Sequence, residues 1–244
     1  MKLAAAFAVL ALAASAVNAA SAPSPVALAI ADPSRPKDDR AADAVRDPVE
    51  TLNFAGVKPG MKVGEFFPGG GYYSRLLLDV VGPKGRVYGL ENAGWKGAVK
   101  DDQTTAAAHA NFVLDAEPFG QFSAPEKLDL IWITQNYHDL HIAKYGVVDM
   151  ADFNRRVFAA LKPGGIYFVL DHQANPGTTD AQISDLHRIE KATVISEVTA
   201  AGFKLVAEGK FLAQPGDDHS KTVFDPAIRG HTDQYALKFA KPQS

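Results

Sequence analysis

Val63-Gly64-Glu65-Phe66-Phe67-Pro68-Gly69-Gly70-Gly71-Tyr72-Tyr73-Ser74 is the stretch whose reading decides how this chain folds. An apolar run carrying one acid enters a proline and three glycines, and a helical pattern from Tyr73 to Val81 leaves them. That is the order of a strand, a tight turn and a helix N-terminus. Glycines at such a turn let the backbone approach a ligand closely, and the free N–H groups of the helix start favour negative charge. In open α/β sheets, a turn of this kind at the carboxyl end of the first parallel strand is where nucleotides bind.

Outward from this turn the chain alternates between strands and helices. Asp38 to Gly56 reads as a helix broken at Pro48 and ended by Gly56, and Lys62 to Phe67 as the first strand. After the helix over Tyr73 to Val81, the turn Gly82-Pro83-Lys84-Gly85 leads into a strand over Arg86 to Leu90, closed by Glu91. Ala93 to Ala110 is compatible with a helix, Asn111 to Leu114 with a short strand closed by Asp115, and Leu128 to Thr134 with a strong strand. An amphipathic helix over Val147 to Leu161 ends at Lys162-Pro163-Gly164-Gly165. Ile166 to Leu170 is a strand closed by Asp171, and Asp180 to Ala201 reads as one long helix stopped by Gly202. Such alternation predicts a parallel sheet with right-handed crossovers. Phe203 to Glu208 and Gln234 to Ala240 have no helix between them, which predicts an antiparallel pair at one end of the sheet.

The 244 residues suffice for one sizeable domain with a buried core. Formal net charge is −3 and no long basic run occurs, so a nucleic-acid-binding surface is not indicated. Met1-Lys2, the alanine-rich apolar run Leu3 to Val17 and the small residues of Val17-Asn18-Ala19 resemble a secretory signal peptide cleaved after Ala19. The expected organisation is a signal peptide over 1–19, a Pro/Ala-rich linker or N-terminal arm over 20–37, and a single domain over 38–244. The expected location is periplasmic or secreted, with no stable membrane insertion once the leader is removed. The chain has no cysteine, which excludes disulfides and thiolate chemistry.

Chemistry is expected where the strands end. Glu65 lies near the end of the first strand, Glu91 follows the second, Asp115 the third and Asn136 the fourth, so these groups converge on one rim of a parallel sheet. Glu91 lies 20 residues after Gly71, the spacing at which an acid meets ribose hydroxyls. Each of these acids is also compatible with a plain strand-end cap.

The order of elements, the Gly-rich turn, Glu91, Asp115 and Leu161-Lys162-Pro163-Gly164-Gly165 before a strand resemble a class I S-adenosylmethionine-dependent methyltransferase. The resemblance covers Leu52 to Lys241. It implies a Rossmann-like methyltransferase fold: a mostly parallel seven-stranded sheet with an antiparallel last strand and helices on both faces. It implies S-adenosylmethionine as cofactor and a small-molecule acceptor. Glu65 with Gly69, Gly70 and Gly71 would face the methionine part, Glu91 the ribose, Asp115 and Ala116 the adenine, and Asn136 and Tyr137 the transferred methyl. The chain departs from the family at Phe67, where the turn usually has its first glycine. The ring either turns into the core or projects into the methionine pocket, and burial beside the sheet favours the core.

The fourth strand leads into Asn136-Tyr137-His138-Asp139-Leu140-His141. His138, with Asp139, can take a proton from an acceptor, since histidine titrates near neutral pH. An alternative is a metal held by His138, Asp139, His141 and His172, although no compact ligand motif such as H-E-x-x-H occurs and no metal is assigned. A third reading is that His138 and Asp139 only order the loop. His187 and Arg188 fall inside the expected long helix, where pairing with Asp185 or Glu190 is predicted. Asp217-Asp218-His219 reads as a solvated loop. Three functions therefore compete: a small-molecule methyltransferase, a binding protein of the same fold without activity, and a metal-dependent hydrolase.

Overall fold

The computed structural model describes residues 22–243. The signal-peptide reading of 1–19 lies outside the described residues. Seven strands form one sheet: β1 (Lys62–Phe66), β2 (Arg86–Asn92), β3 (Phe112–Glu117), β4 (Leu128–Thr134), β5 (Leu161–His172), β6 (Lys204–Gly209) and β7 (Gln234–Ala240). Their order is β3-β2-β1-β4-β5-β7-β6, and only β7 runs against its neighbours. This is the sheet that the alternation of elements predicted, including the closing antiparallel pair. The strand order reverses direction at β1, which is flanked by β2 on one side and β4 on the other. The carboxyl ends of β1 and β4 therefore frame a crevice at the switch point.

Alternation along the strands sends successive side chains to opposite faces. Ile131 and Ile133 of β4 join one core with Phe66, Leu90, Tyr167 and Val169, whereas Leu130 and Trp132 join the other with Val63, Val87, Phe168 and Leu170. Helices α6 (Met150–Ala160) and α8 (Lys191–Ala200) close the first face. On the second lie α1 (Pro25–Ala31), α3 (Pro48–Ala55) and α4 (Tyr72–Val81), with Ala106 of α5 (Lys96–Ala108) at its edge. Among the described residues, no helix is long and apolar enough to cross a membrane.

The predicted helix over Asp38 to Gly56 is two helices, α2 (Lys37–Arg46) and α3, parted at Asp47 and Pro48 as the proline requires. The stretch read as a linker, 20–37, contains α1. Ser24 accepts a hydrogen bond from the Ala27 amide at 3.1 Å, Pro25 occupies the first turn, and Val26 and Ala29 are buried. The strand expected over 166–170 is longer because Lys162 to Gly165 is looped out within it. Leu161 still pairs with Leu128, and pairing resumes at Ile166 with Leu130.

The long helix expected over 180–201 is interrupted. α7 (Asp180–Leu186) starts with a reciprocal cap between Thr179 and Gln182 and ends at His187 in a left-handed conformation, φ 54°. The chain then runs extended so that Ile189 forms a parallel bridge with Gln173 and is fully buried, before α8 begins. Burial of Ile189 and a backbone bond from its amide to His172 O at 3.0 Å replace the helical bonds lost there.

Candidate functional site

The glycine turn is built as its sequence requires. Gly69 and Gly71 have φ 57° and 74°, and the Gly71 amide donates to Pro68 O at 3.0 Å. Phe67 is also left-handed, φ 52°, a conformation that costs a residue with a Cβ roughly 1–2 kcal/mol. Its amide donates to Leu90 O at 3.0 Å, continuing the β1–β2 pairing. The ring is buried against Phe66, Trp95 and Phe119, with centroids 5.9, 5.2 and 5.6 Å away. It takes the core position that its apolar area favours while still bordering a cavity over the turn. Arg75 of α4 holds α2 across that turn, reaching both Asp39 oxygens at 2.7 and 2.9 Å and Gly70 O at 2.9 Å.

Three carboxylic acids are buried around the turn. Burial pushes Glu65 up to about 8, and its Oε2 has no hydrogen-bond partner. Burial pushes Glu91 up to about 7. Its Oε1 accepts from the Asn92 amide at 2.6 Å and its Oε2 from the Gly69 amide at 3.4 Å. Asp102, on α5, is pushed up to about 8 by burial and by the Glu91 charge, and neither of its oxygens has a partner. The sequence reading did not single out Asp102, which sits in a helix of mostly exposed residues where nothing marks one acid as buried. Asp115 is half-buried and accepts from the Ser123 amide at 2.7 Å, while Ala116 is exposed. A cavity of about 330 Å³ is bordered by Glu65, Phe67, Gly69, Gly70, Gln135 and Asn136. Glu91, Asp115 and Gly71 do not border this cavity.

The second group of side chains is gathered by the ends of β4 and β5. Asp171, fully buried at the end of β5, accepts from the His138 amide at 2.8 Å and pairs with His138 Nδ1 at 2.7 Å. Burial opposes the charged form of His138, but the Asp171 charge and hydrogen bond, with Asp139, outweigh it and raise the imidazole. Burial likewise opposes the Asp171 carboxylate, and the His138 charge and hydrogen bond outweigh it and lower that acid. The other ring nitrogen of His138, Nε2, lies 3.2 Å from His187 Nδ1, and Asp139 Oδ1 lies 3.4 Å from each. Asn136 Nδ2 donates to Asp139 Oδ2 at 2.8 Å.

His187 thus faces the site instead of pairing with Asp185 or Glu190, because the break after α7 turns it away from a helical surface. Arg188 is fully buried and pairs with Asp217 at 2.8 Å, also reaching Lys221 O and Gln173 O. The Asp217 loop is therefore anchored by an internal ion pair and is not simply solvated. Asp171 was legible only as a strand-end acid, the same signal that picked out Glu91 and Asp115.

Tyr137 and His141 lie apart from this group. Tyr137 is fully buried, its hydroxyl donating to Glu197 at 2.7 Å and accepting from Asn154 Nδ2 at 2.9 Å. His141 meets Glu197 at 3.3 Å. His172 pairs through Nδ1 with Thr232 Oγ1 at 2.8 Å, and burial pushes it down to about 3, which keeps it neutral. A cavity of about 300 Å³ opens over Trp95, Asn136, His138, Tyr145, His187 and Phe224. A third, of about 240 Å³, is bordered by Arg46, His172, Arg229 and Thr232. All three cavities share Gln135, whose φ of 59° turns the chain out of β4.

No family model matches the chain, and no curated protein matches it in sequence. Solved structures match its fold. One is a SAM-dependent methyltransferase from Aquifex aeolicus, 15% identical, with TM-score 0.56, covering 84% of this chain and 100% of its own. Another is Aeropyrum pernix fibrillarin with natively bound S-adenosyl-L-methionine, 15% identical, with TM-score 0.55, covering 81% and 76%. A third is a "possible exported protein" from Bordetella parapertussis, 16% identical, with TM-score 0.54, covering 83% and 67%. The chain has the Rossmann-like methyltransferase fold.

Proposed function

We propose that this chain is an S-adenosylmethionine-dependent methyltransferase acting on a small molecule. The observation that carries the reading is the meeting of two cavities at Gln135 and Asn136, one over the glycine turn and one over His138. Methyl transfer is an in-line displacement, and holding donor and acceptor side by side supplies much of its catalysis. An acceptor cavity of about 300 Å³ suits a small molecule, as pockets of this order commonly do. A net charge of −3 speaks against a nucleic-acid acceptor.

The residues present fit the cofactor's methionine end. Glu65 Oε2 is a buried acceptor without a partner beside a cavity of about 330 Å³, and it complements an ammonium or sulfonium group. Gly69, Gly70 and Gly71 would hold that end with Asn136, while Glu91 would take the ribose and Asp115 with Ala116 the adenine. Glu91 meets a ribose only by releasing the Gly69 amide, its weaker bond. When bound, the group supplies an electrophilic methyl on a sulfonium. His138, with Asp139 beside it, is the residue that takes the acceptor's proton. Asp171 engages its Nδ1, which leaves Nε2, beside His187 at the border of the acceptor cavity, as the nitrogen for that proton. Calorimetry with S-adenosylmethionine and S-adenosylhomocysteine tests the reading, and a folded protein that binds neither would sink it.

A second reading, binding without turnover, draws on Phe67 in place of a glycine and on Glu91, whose oxygens are already engaged by the Asn92 and Gly69 amides. Binding with no methyl transfer across a broad acceptor panel would favour it. The export reading rests on the residues before Ala20, and the Bordetella parapertussis likeness is consistent with it. Mass spectrometry of the protein from its native host should find a chain beginning near Ala20 in the periplasm or medium. An intact Met1 in the cytoplasm would refute that.

A further inference from the structure

The three atoms His138 Nε2, His187 Nδ1 and Asp139 Oδ1 form a nearly equilateral triangle with sides of 3.2, 3.4 and 3.4 Å. Two imidazole nitrogens and a carboxylate oxygen are the donor types of catalytic zinc and of other first-row transition metals. The size of the triangle is informative. Donors about 2.05 Å from a tetrahedral ion are about 3.3 Å apart, whereas an octahedral ion at that distance needs about 2.9 Å. The observed edges match the tetrahedral case.

The surroundings of the triangle are those of a ligand set. Asp139 is 5% exposed, and its Oδ1, the oxygen in the triangle, has no hydrogen-bond partner. Its other oxygen is held by Asn136 Nδ2 at 2.8 Å, which aims Oδ1 at the two histidines. The remote nitrogen of His138 pairs with the buried Asp171 at 2.7 Å. This carboxylate–histidine arrangement fixes the ring and leaves Nε2 as the lone-pair nitrogen. Phe224 packs edge-on against the His187 ring with centroids 4.8 Å apart, and the left-handed backbone at His187 turns that ring inward. The fourth side faces the cavity of about 300 Å³ over Trp95 and Tyr145, so the set is open in the manner of a catalytic site.

We propose that His138, His187 and Asp139 hold a divalent transition-metal ion, zinc being the best match, with its open position toward the acceptor cavity. The ion would bind an oxygen of the acceptor and favour its deprotonated form, in place of direct proton removal by His138. That role rests on the methyl-transfer reading, but the site itself does not. The simpler arrangement is a hydrogen bond from His187 Nδ1–H to His138 Nε2 with Asp139 beside it, and the two differ in what they bind.

Untagged full-length protein is stripped with a chelator, then titrated with Zn²⁺, Mn²⁺ and Co²⁺ by calorimetry, with metal content measured after gel filtration. One equivalent of Zn²⁺ per chain is expected, and Co²⁺ should give the intense visible absorption of a four-coordinate site. Asp139→Asn and His187→Asn should each weaken Zn²⁺ binding at least tenfold, and Asp171→Asn about 10–100-fold through the orientation of His138. Asparagine is chosen at His187 because it tolerates the left-handed backbone. His141→Ala, which touches none of the three ligands, should leave affinity unchanged, and circular dichroism establishes that each variant is folded. Absence of stoichiometric binding of all three ions by folded protein overturns the proposal. So does binding that survives both Asp139→Asn and His187→Asn. S-adenosylmethionine calorimetry on the stripped protein is read separately. Metal binding without cofactor binding keeps the metal site and discards methyl transfer, and the reverse result discards the metal site alone.

Discussion

Replacing Phe67 by alanine and by glycine separates two opposing effects at one residue. Phe67 is 8% exposed and its ring packs against Phe66, Trp95 and Phe119, and truncating such a side chain to alanine costs about 3–5 kcal/mol. Alanine leaves the backbone strain in place, because it keeps a Cβ at φ 52°. Glycine removes that strain, worth roughly 1–2 kcal/mol, so Phe67→Gly should cost about 1–4 kcal/mol and be the more stable of the two variants. In a regular strand the order would be reversed, since glycine is there destabilising relative to alanine. Urea unfolding followed by circular dichroism measures both differences. A glycine variant less stable than the alanine variant would refute the strain argument. Losses under about 1 kcal/mol in both would refute the packing argument. Much tighter S-adenosylmethionine binding by Phe67→Gly would show that the ring obstructs the cofactor.

The other predictions concern charge. Asp102, raised to about 8 from its ordinary 3.8, is protonated in the folded chain and ionised in the unfolded one around neutral pH. The stability it contributes is present below about pH 4 and is lost as pH rises toward about 8, at up to about 1.4 kcal/mol per pH unit. Glu65 and Glu91 act in the same direction. Asp102→Asn should therefore flatten the fall in stability over that window, and an unchanged slope by urea unfolding across pH would exclude the assignment. Arg188→Met should cost about 3–5 kcal/mol, because it leaves Asp217 buried without its partner; a loss under about 1 kcal/mol in thermal or urea unfolding would contradict this. Glu91→Ala should weaken S-adenosylhomocysteine at least tenfold, since each charge-assisted bond to a ribose is worth about 1.5–3 kcal/mol. Equal affinity in a folded variant would mark Glu91 as a strand cap.

The sheet was legible in the residues because its signals are local. Leu128 to Thr134 alternates between two cores that both need apolar side chains, and Gly69 and Gly71 sit where the backbone needs positive φ. The lack of a helical pattern between β6 and β7 was enough to predict their antiparallel pairing. Glu65, Glu91 and His138 were marked by their places at strand ends, which a parallel sheet collects on one rim.

What the tertiary structure decided depends on contacts between distant segments. Residues 187–190 have a helical pattern, yet burying Ile189 beside Gln173 breaks the helix and turns His187 toward His138, 49 residues away. Asp102 looks like one more polar residue of a solvated helix until α5 lies against the glycine turn. Arg188 and Asp217 find each other only because the loop after β6 folds back over the break. Local sequence sets φ, ψ and the face a side chain presents. Which charged groups lose their water, and what they meet in its place, is settled by packing among elements far apart in the chain, and that packing is what brings His138, Asp139 and His187 together.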